Sequence, residues 1–555
     1  MEFNFLTFQL FNSKPMSFST KILLALFVVL LLPALLINLG LMSFIDDEGI
    51  RSLVALEMRL SGNYMAPTMN GEWYYNKPPL FNWILLGYYQ LFGVWEEWVP
   101  RLATVVSLLG YAGTIYYFFR KHGSVRMALV NAMAFITCGR VLLWDSQLGL
   151  IDITFSWVTF LSFMALYHAF EKKRWWTLFL LTYLLTAVGF MMKGLPSVVF
   201  QGLTLSAWFA YKRAWRPFFS LAHVAGGLLA MALIGLYYWQ YSHYHRLDEI
   251  LLTLFSESSK RTVAEYGWWK TILHLFTFPF EMVYHFLPWS LGILLVFHRK
   301  VWAWLREDPF VFFLFLVFAV NIVLYWTSVG VYPRYLLMHA PLLFGVFFYL
   351  LEKHSAEKSL HARTLEAIWG GLLVLFFAAS LLPLFWDRLQ LTEGYWWKGG
   401  LLAAMMGALV AAYWRWREDR IFVLLLALLV FRMGFNWFVL PDRHREDWGT
   451  VCKEKAVDLA TLLKAEPRMF IYKDTGMTIS SSFYFTAVRQ RILERKYSGF
   501  EEGDLIIIDP IGYPDVDWEP VGELPIRFEK KVLQVGRFRE RVERGEIPTL
   551  SKHTF

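Results

Sequence analysis

The residues of this chain that could do chemistry are a few isolated charges set in a strongly apolar background. An acidic triplet, Asp46-Asp47-Glu48, comes directly after a long apolar run, and Lys77-Pro78-Pro79 follows in the same polar stretch. Further along are Arg140 with Asp145, then Asp152, Lys193-Gly194, Arg261 and Arg334-Tyr335. Lysine binds a phosphate as a point charge and arginine as a planar fork. A carboxylate beside them suits general-base work or stabilisation of a developing oxocarbenium charge. Singly, each is an ordinary anchor or a solvated helix end, because charges at a membrane boundary hydrate easily. Together they converge, in both signs, on one side of the topology that the apolar segments impose.

That topology follows from composition and pattern. The residues AVILMFWYC make up 57 % of the 555, charged residues 18 %, and the mean hydropathy is +0.41. A soluble chain is about a quarter charged. The apolar residues form blocks long enough to cross a hydrocarbon core about 30 Å thick. Disorder is excluded, and so is a β-barrel, whose strands alternate polar and apolar. Thirteen spans are expected, near 21–42, 101–119, 125–142, 149–170, 175–192, 195–211, 217–240, 271–297, 309–328, 334–351, 365–386, 397–414 and 420–440. Six short loops (120–126, 171–174, 212–216, 298–308, 352–364 and 415–420) each carry three Lys or Arg, which marks their side as cytoplasmic. The N-terminus is then cytoplasmic and the C-terminus external. The run Ile22–Leu41 is too long for a signal-peptide core and is expected to stay as the first helix.

Length and polar residues accumulate on the external side: a first loop 43–100, a second 241–270, and the tail 441–555. The apolar, aromatic segment 78–95 is too short to span and is expected to lie flat at the interface. In the tail, β-rich runs at Met469–Tyr472, Leu505–Ile508 and Val532–Val535 alternate with polar helical stretches, giving a small soluble α/β domain. The expected division is a membrane domain 1–440, including loop 43–100, and an external domain 441–555. The net charge of +8 lies mostly in the short loops, which argues for topology selection and against nucleic acid. The two cysteines, Cys138 and Cys452, fall in different environments and cannot pair.

These residues resemble a known family. Asp47-Glu48 through Glu57-Met58, Ser61-Gly62, Pro67, Gly71 and Tyr75-Asn76-Lys77-Pro78 is similar to the first external loop of the GT-C superfamily of membrane glycosyltransferases. The aminoarabinose (lipid A) transferases and the protein O-mannosyltransferases are the members most alike. Arg140 with Asp145, Lys193-Gly194-Leu195-Pro196, Pro288-Trp289-Ser290 and Arg334-Tyr335-Leu336-Leu337 with Pro341 extend the likeness to about residue 345. Two positions depart from it: Gly49-Ile50 precede Arg51, and Asn76 stands where Glu is common.

The resemblance implies a polytopic α-helical membrane protein of GT-C type in the cell inner membrane, with a periplasmic tail. It implies transfer of a sugar from a polyprenyl-phosphate carrier, with inversion, to a glycolipid (lipid A-like) or protein acceptor on the external face. Asp47 is then the first-loop carboxylate, Glu48 its support and Asp145 the second carboxylate. Lys77, Arg261, Arg334, Arg140 and Lys193 become carrier-phosphate ligands, and Asp46, Arg51, Tyr75 and Tyr335 substrate contacts. No metal ligand is assigned and no cofactor is called for, although a divalent metal stays open. The rival reading, a lipid-linked sugar flippase, calls for charges at span centres and internal pseudosymmetry. A scaffold reading leaves the carboxylates and Lys-Pro unexplained. His243, His245 and Asp248 are spaced too loosely for a metal site. His274 and His285 are expected to be packing residues, and Asp442–Asp447 a solvated linker.

Overall fold

The computed structural model describes residues 16–45, 47–259, 263–527 and 531–539. Backbone contacts divide the chain into two units. One contains residues up to Met42 with Tyr75–Glu446, the other Ser43–Tyr74 with the chain from Asp447 onward. The first stretch of the expected loop 43–100 thus groups with the tail.

The first unit is helical, and each of the thirteen apolar segments contains a helix. Among the described residues, eight helices are long and apolar enough to cross a membrane. The number is nine if the bent pair Val125–Thr137 and Gly139–Gln147 forms one span. The chain is a multi-pass membrane protein. Of the other four segments, one is the continuous 21-residue helix Tyr395–Arg415 and three are shorter or interrupted. Pro196–Tyr211 has 16 residues and Ala340–Ala356 has 17, and Val263–His285 contains Gly267 in a non-helical conformation (φ 77°, ψ 163°). Leu80–Phe92, with 13 residues, falls well below the roughly 20 needed to span. It buries Phe81, Leu85 and Tyr89 and leaves Leu91 exposed.

Ser17 begins the first helix, Phe18–Leu36, accepting from the Thr20 amide at 3.0 Å. The hydroxyls of Ser17, Ser19 and Thr20 all donate to Asp419, just ahead of the helix Arg420–Gly434 that packs on this one. At the other end Arg101 donates through Nη1 to the carbonyls of Leu39 and Met42, each at 2.9 Å. Hydroxyl-to-carboxylate and guanidinium-to-carbonyl bonds satisfy groups that hydrocarbon cannot.

Three interruptions position the polar residues. The helix Val125–Thr137 stops at Cys138, which is extended (φ −68°, ψ 142°), and the chain bends by 45°. Gly139 makes the bend tight: its amide donates to the Leu287 carbonyl at 2.6 Å, and a Cβ there would stand 3.1 Å from that oxygen. A second break at Trp144 starts the 3-10 turn Asp145–Gln147, and Ile151–Glu171 follows. The third is at 333–339. The expected span 334–351 opens with a 3-10 turn, Pro333–Leu336, and its α-helix begins only at Ala340.

The second unit contains a five-stranded sheet. In spatial order its strands are Glu494–Lys496, Met469–Tyr472, Leu505–Ile508, Val532–Arg539 and Asp517–Pro525. The first three run parallel and the last two join antiparallel. The central strand Leu505–Ile508 is wholly buried, which is why it reads as an unbroken apolar run. The helix Glu48–Ser61 packs against Ile479–Arg489, closely enough that a Cβ on Gly49 would lie 3.1 Å from the Ser480 amide nitrogen. Phe44 adds ring contacts to Phe483 and Tyr484. Arg527 donates to Asp447 at 2.9 Å, and Asp447 caps the helix Trp448–Leu462 through the Thr450 amide.

Glu57 holds the short hairpin of this unit. Buried completely, its carboxylate accepts from the Asn70 amide at 2.7 Å, the Thr68 hydroxyl at 2.7 Å and the Gly71 amide at 3.2 Å. Burial nevertheless pushes its pKa up to about 7, against these donors and with help from the Glu494 charge. An ordinary glutamate, as in the unfolded chain, titrates near 4.5. Protonation therefore favours the folded unit. The stability from Glu57 is full below about pH 4.5 and is lost as pH rises through 7. Between pH 5 and 8 the unfolding midpoint should fall by roughly 5 °C in the native chain. Glu57→Gln should abolish most of that slope, as followed by thermal unfolding in detergent; an unchanged slope would refute the assignment.

Candidate active site

The interruptions bring five charged residues of the first unit together at helix ends. Arg140 comes from the short helix after the bend and Asp145 opens the 3-10 turn. Asp152 lies in the first turn of Ile151–Glu171, Lys193 ends Trp175–Lys193, and Arg334 sits in the turn Pro333–Leu336. Gly194 makes the Lys193 position possible, because its φ of 80° and ψ of −141° form a conformation essentially reserved for glycine.

Arg140 Nε lies 3.1 Å from both oxygens of Asp145. Lys193 Nζ reaches Asp152 Oδ1 at 2.5 Å, and Arg334 Nε stands 3.4 Å from Asp152 Oδ2. Asp145 is within electrostatic range of Asp152 and of Arg334, which joins the two groups into one cluster. Both carboxylates and Arg334 are buried; Lys193 and Arg140 keep only small exposed fractions. Aromatic faces complete the surroundings. The Lys193 ammonium lies 3.9 Å from the Tyr335 ring centre and 5.2 Å from that of Phe155, and the Arg334 guanidinium 4.5 Å from the ring of Tyr332. Cations over ring faces are attracted by the quadrupole, more so away from water. Three cations with two carboxylates, held at helix ends, make a cluster biased toward an anion.

The other expected residues lie elsewhere or serve other bonds. Asp47 begins the helix Glu48–Ser61 in the second unit, its carbonyl accepting from the Arg51 amide at 3.2 Å. Glu48 is buried there and accepts from the Ile45 amide at 3.0 Å. Arg51, also buried, donates to the Tyr74 hydroxyl at 2.9 Å, an internal contact of that unit. Lys77 is half-buried just before Leu80–Phe92. Tyr75 is hydrogen-bonded to His245 Nε2 at 2.7 Å. Asp46 and Arg261 lie outside the described residues. The hub of the cluster is Asp152, which the sequence showed as one of the isolated charges but to which the family resemblance gave no role. Its signal was present: a carboxylate within two turns of Asp145, in an apolar helix that would not otherwise tolerate it. Tyr332 and Phe155 carried no such signal.

Among the described residues no group of three or more His, Cys, Asp or Glu could hold a metal. His243 contacts the Trp239 carbonyl and Asp248 pairs with Arg246 at 2.7 Å. His274 Nε2 lies 3.3 Å from the Tyr325 carbonyl oxygen and so is hydrogen-bonded, as a packing role demands. The run Asp442–Asp447 is more than a solvated linker. Asp442 pairs with Arg388 at 2.8 Å and with Arg445 at 2.9 Å, because helix Leu440–Arg445 puts residues three apart on one face.

The fold is one already seen in a solved structure. The chain superposes over 93 % of its length on a crystal structure of ArnT from Cupriavidus metallidurans bound to undecaprenyl phosphate. The TM-score is 0.69 at 16 % identity, and 98 % of that chain is covered. Residues 76–239 match the family model described as dolichyl-phosphate-mannose-protein mannosyltransferase. In sequence, the chain is 27 % identical over 306 residues to an undecaprenyl phosphate-alpha-4-amino-4-deoxy-L-arabinose arabinosyl transferase of Pseudomonas aeruginosa (strain LESB58), covering 53 % of each protein. It is likewise 27 % identical over 328 residues to an uncharacterized protein of Aquifex aeolicus (strain VF5), covering 56 % of this chain and 61 % of that one. The chain thus spans somewhat more than half the length of these two relatives.

Asp152→Asn tests the cluster as a unit. Breaking a buried pair costs about 3–5 kcal/mol, since it strands the opposite charge. Here two cations lose their counter-ion, so the thermal unfolding midpoint of the detergent-solubilised protein should drop sharply. An unchanged midpoint would show that Asp152 does not hold Lys193 and Arg334.

Proposed function

We propose that this protein is a membrane glycosyltransferase that moves a sugar from a polyprenyl-phosphate carrier to a glycolipid, lipid A-like, or to a protein, on the external face and with inversion. The observation that carries this reading is the buried cluster of Arg140, Asp145, Asp152, Lys193 and Arg334 at helix ends. It occurs in a fold shared with a structure described as ArnT bound to undecaprenyl phosphate. The N-terminus is proposed to be cytoplasmic and the tail periplasmic, on the strength of the basic triplets in the short loops.

In the reaction the anomeric carbon–oxygen bond to the carrier phosphate breaks, and a new bond forms from the opposite face to the acceptor oxygen. Negative charge grows on the departing phosphate. Lys193, Arg334 and Arg140, with Lys77 and Arg261 as the further proposed ligands, meet that charge and stabilise the transition state more than the ground state. Asp145 and Asp152 keep the cations fixed before the carrier arrives, which avoids reorganisation during the reaction. Asp47, supported by Glu48, takes the proton from a hydroxyl acceptor; with a phosphate acceptor it orients and stabilises instead. Asp46, Arg51, Tyr75 and Tyr335 are assigned to substrate contacts. The flippase reading has no observation in its favour: the clustered charges sit at helix ends.

The test is sugar transfer by purified, folded protein from polyprenyl-phosphate donors. Lys193→Ala and Arg334→Ala should each lower turnover by about 10²–10³-fold, the loss seen when one preorganised donor is removed. Asp47→Asn and Lys77→Ala should do the same. Full turnover in all four would overturn the proposal.

A further inference from the structure

A polar cavity lies in the first unit, formed by none of the residues of the charged cluster. Its volume is about 460 Å³, within the range of roughly 300–1,000 Å³ typical of small-molecule sites. Part of its lining is apolar: Ile37 and Leu41, where the chain leaves the first helix, with Trp437 and Pro441. The rest of the lining is largely polar and includes Thr392, Glu393, Lys398 and Arg445, with Asn38 and His444.

Three features distinguish this cavity from a packing defect. First, Thr392 is only 8 % exposed, yet its hydroxyl has no hydrogen-bond partner. A buried hydroxyl is normally paired, so an orphan at a cavity wall marks a place where a ligand atom belongs. Second, the walls are pinned. Helix Arg420–Gly434 widens into the π-turn Phe435–Val439, and Asn38 (φ 60°) donates its side-chain amide to the Asn436 carbonyl at 2.7 Å. Asn436 in turn donates to the Ala34 carbonyl at 2.8 Å. Such π-turns concentrate at functional sites. Third, cations reach the cavity with donor capacity remaining. Lys398 Nζ spends one bond on the Glu393 carbonyl at 2.7 Å, out of three donors on an ammonium. Arg445 uses Nη2 for Asp442 and the Arg388 carbonyl.

Depth identifies the class of ligand. Trp386, Trp396 and Trp397 around this end of the helices are 52 %, 67 % and 46 % exposed. Exposed tryptophans at the ends of apolar helices form the belt that sits at the lipid headgroup level. We infer that this cavity binds a phospholipid. Its phosphodiester takes Lys398, Arg445 and the Thr392 hydroxyl, while its upper acyl carbons lie along Ile37, Leu41 and Trp437. Glu393 in the polar lining disfavours a bare dianion and suits a singly charged phosphodiester whose glycerol or amine group can donate to it.

Native mass spectrometry of the full chain in mild detergent tests this. Phosphatidylglycerol is the probe, and phosphatidylethanolamine and inorganic phosphate are the separate arms. The native chain should hold one more phospholipid than Lys398→Ala or Thr392→Val, with affinity lower by about tenfold in each. Thr392→Ser should keep the bound lipid, and thermal unfolding shows which variants fold. Preference for either phospholipid over the variants supports the site and names its headgroup. Equal lipid retention in the native chain and in folded Thr392→Val would overturn the inference. So would displacement of the lipid by inorganic phosphate at low millimolar concentration.

Discussion

A charge held among apolar helices survives only with a partner, and the pairing of Asp152 with Lys193 and Arg334 is the interaction on which the rest of the first unit depends. Desolvating an ammonium, a guanidinium and a carboxylate separately would cost several kcal/mol each. Held together over the faces of Tyr335, Tyr332 and Phe155, they compensate one another and remain positively biased. The helix breaks follow from this need. Cys138, Trp144 and Gly194 each end a helix, and the 3-10 turn at Pro333 precedes one, where one of these side chains meets the others.

The same economy appears away from the cluster. Asp419 is held by three hydroxyls of the first helix, and Arg432 by the carbonyls of Ala34 and Leu142. In the second unit Glu57 is buried against two backbone amides and a hydroxyl. In every case a polar atom that water would have satisfied is met by protein instead.

Much of the site was legible in the sequence, because an ionisable residue in an apolar context has few innocent explanations. Arg140 with Asp145, and Lys193 with Arg334, were visible as misplaced charges. What could not be read was the partnership. Asp152 lies 41 residues from Lys193, and nothing in either local pattern specifies the bond between them. The strands at Met469–Tyr472 and Leu505–Ile508 were legible by their β-branched and aromatic runs. The grouping of Ser43–Tyr74 with the tail was not, because the helix Glu48–Ser61 becomes part of that unit only through its packing on Ile479–Arg489.

By itself the sequence determined that this is a multi-pass membrane protein with a small mixed domain, and which scarce charges had to be explained. Hydropathy and loop charge are local properties, and the bilayer acts on them segment by segment. Only the tertiary structure decided where those segments break and which charges meet. It also decided that Thr392, unremarkable in the chain, lines a cavity with its hydroxyl unpaired. Those outcomes depend on contacts between residues far apart in sequence, and such contacts exist only once the helices have packed.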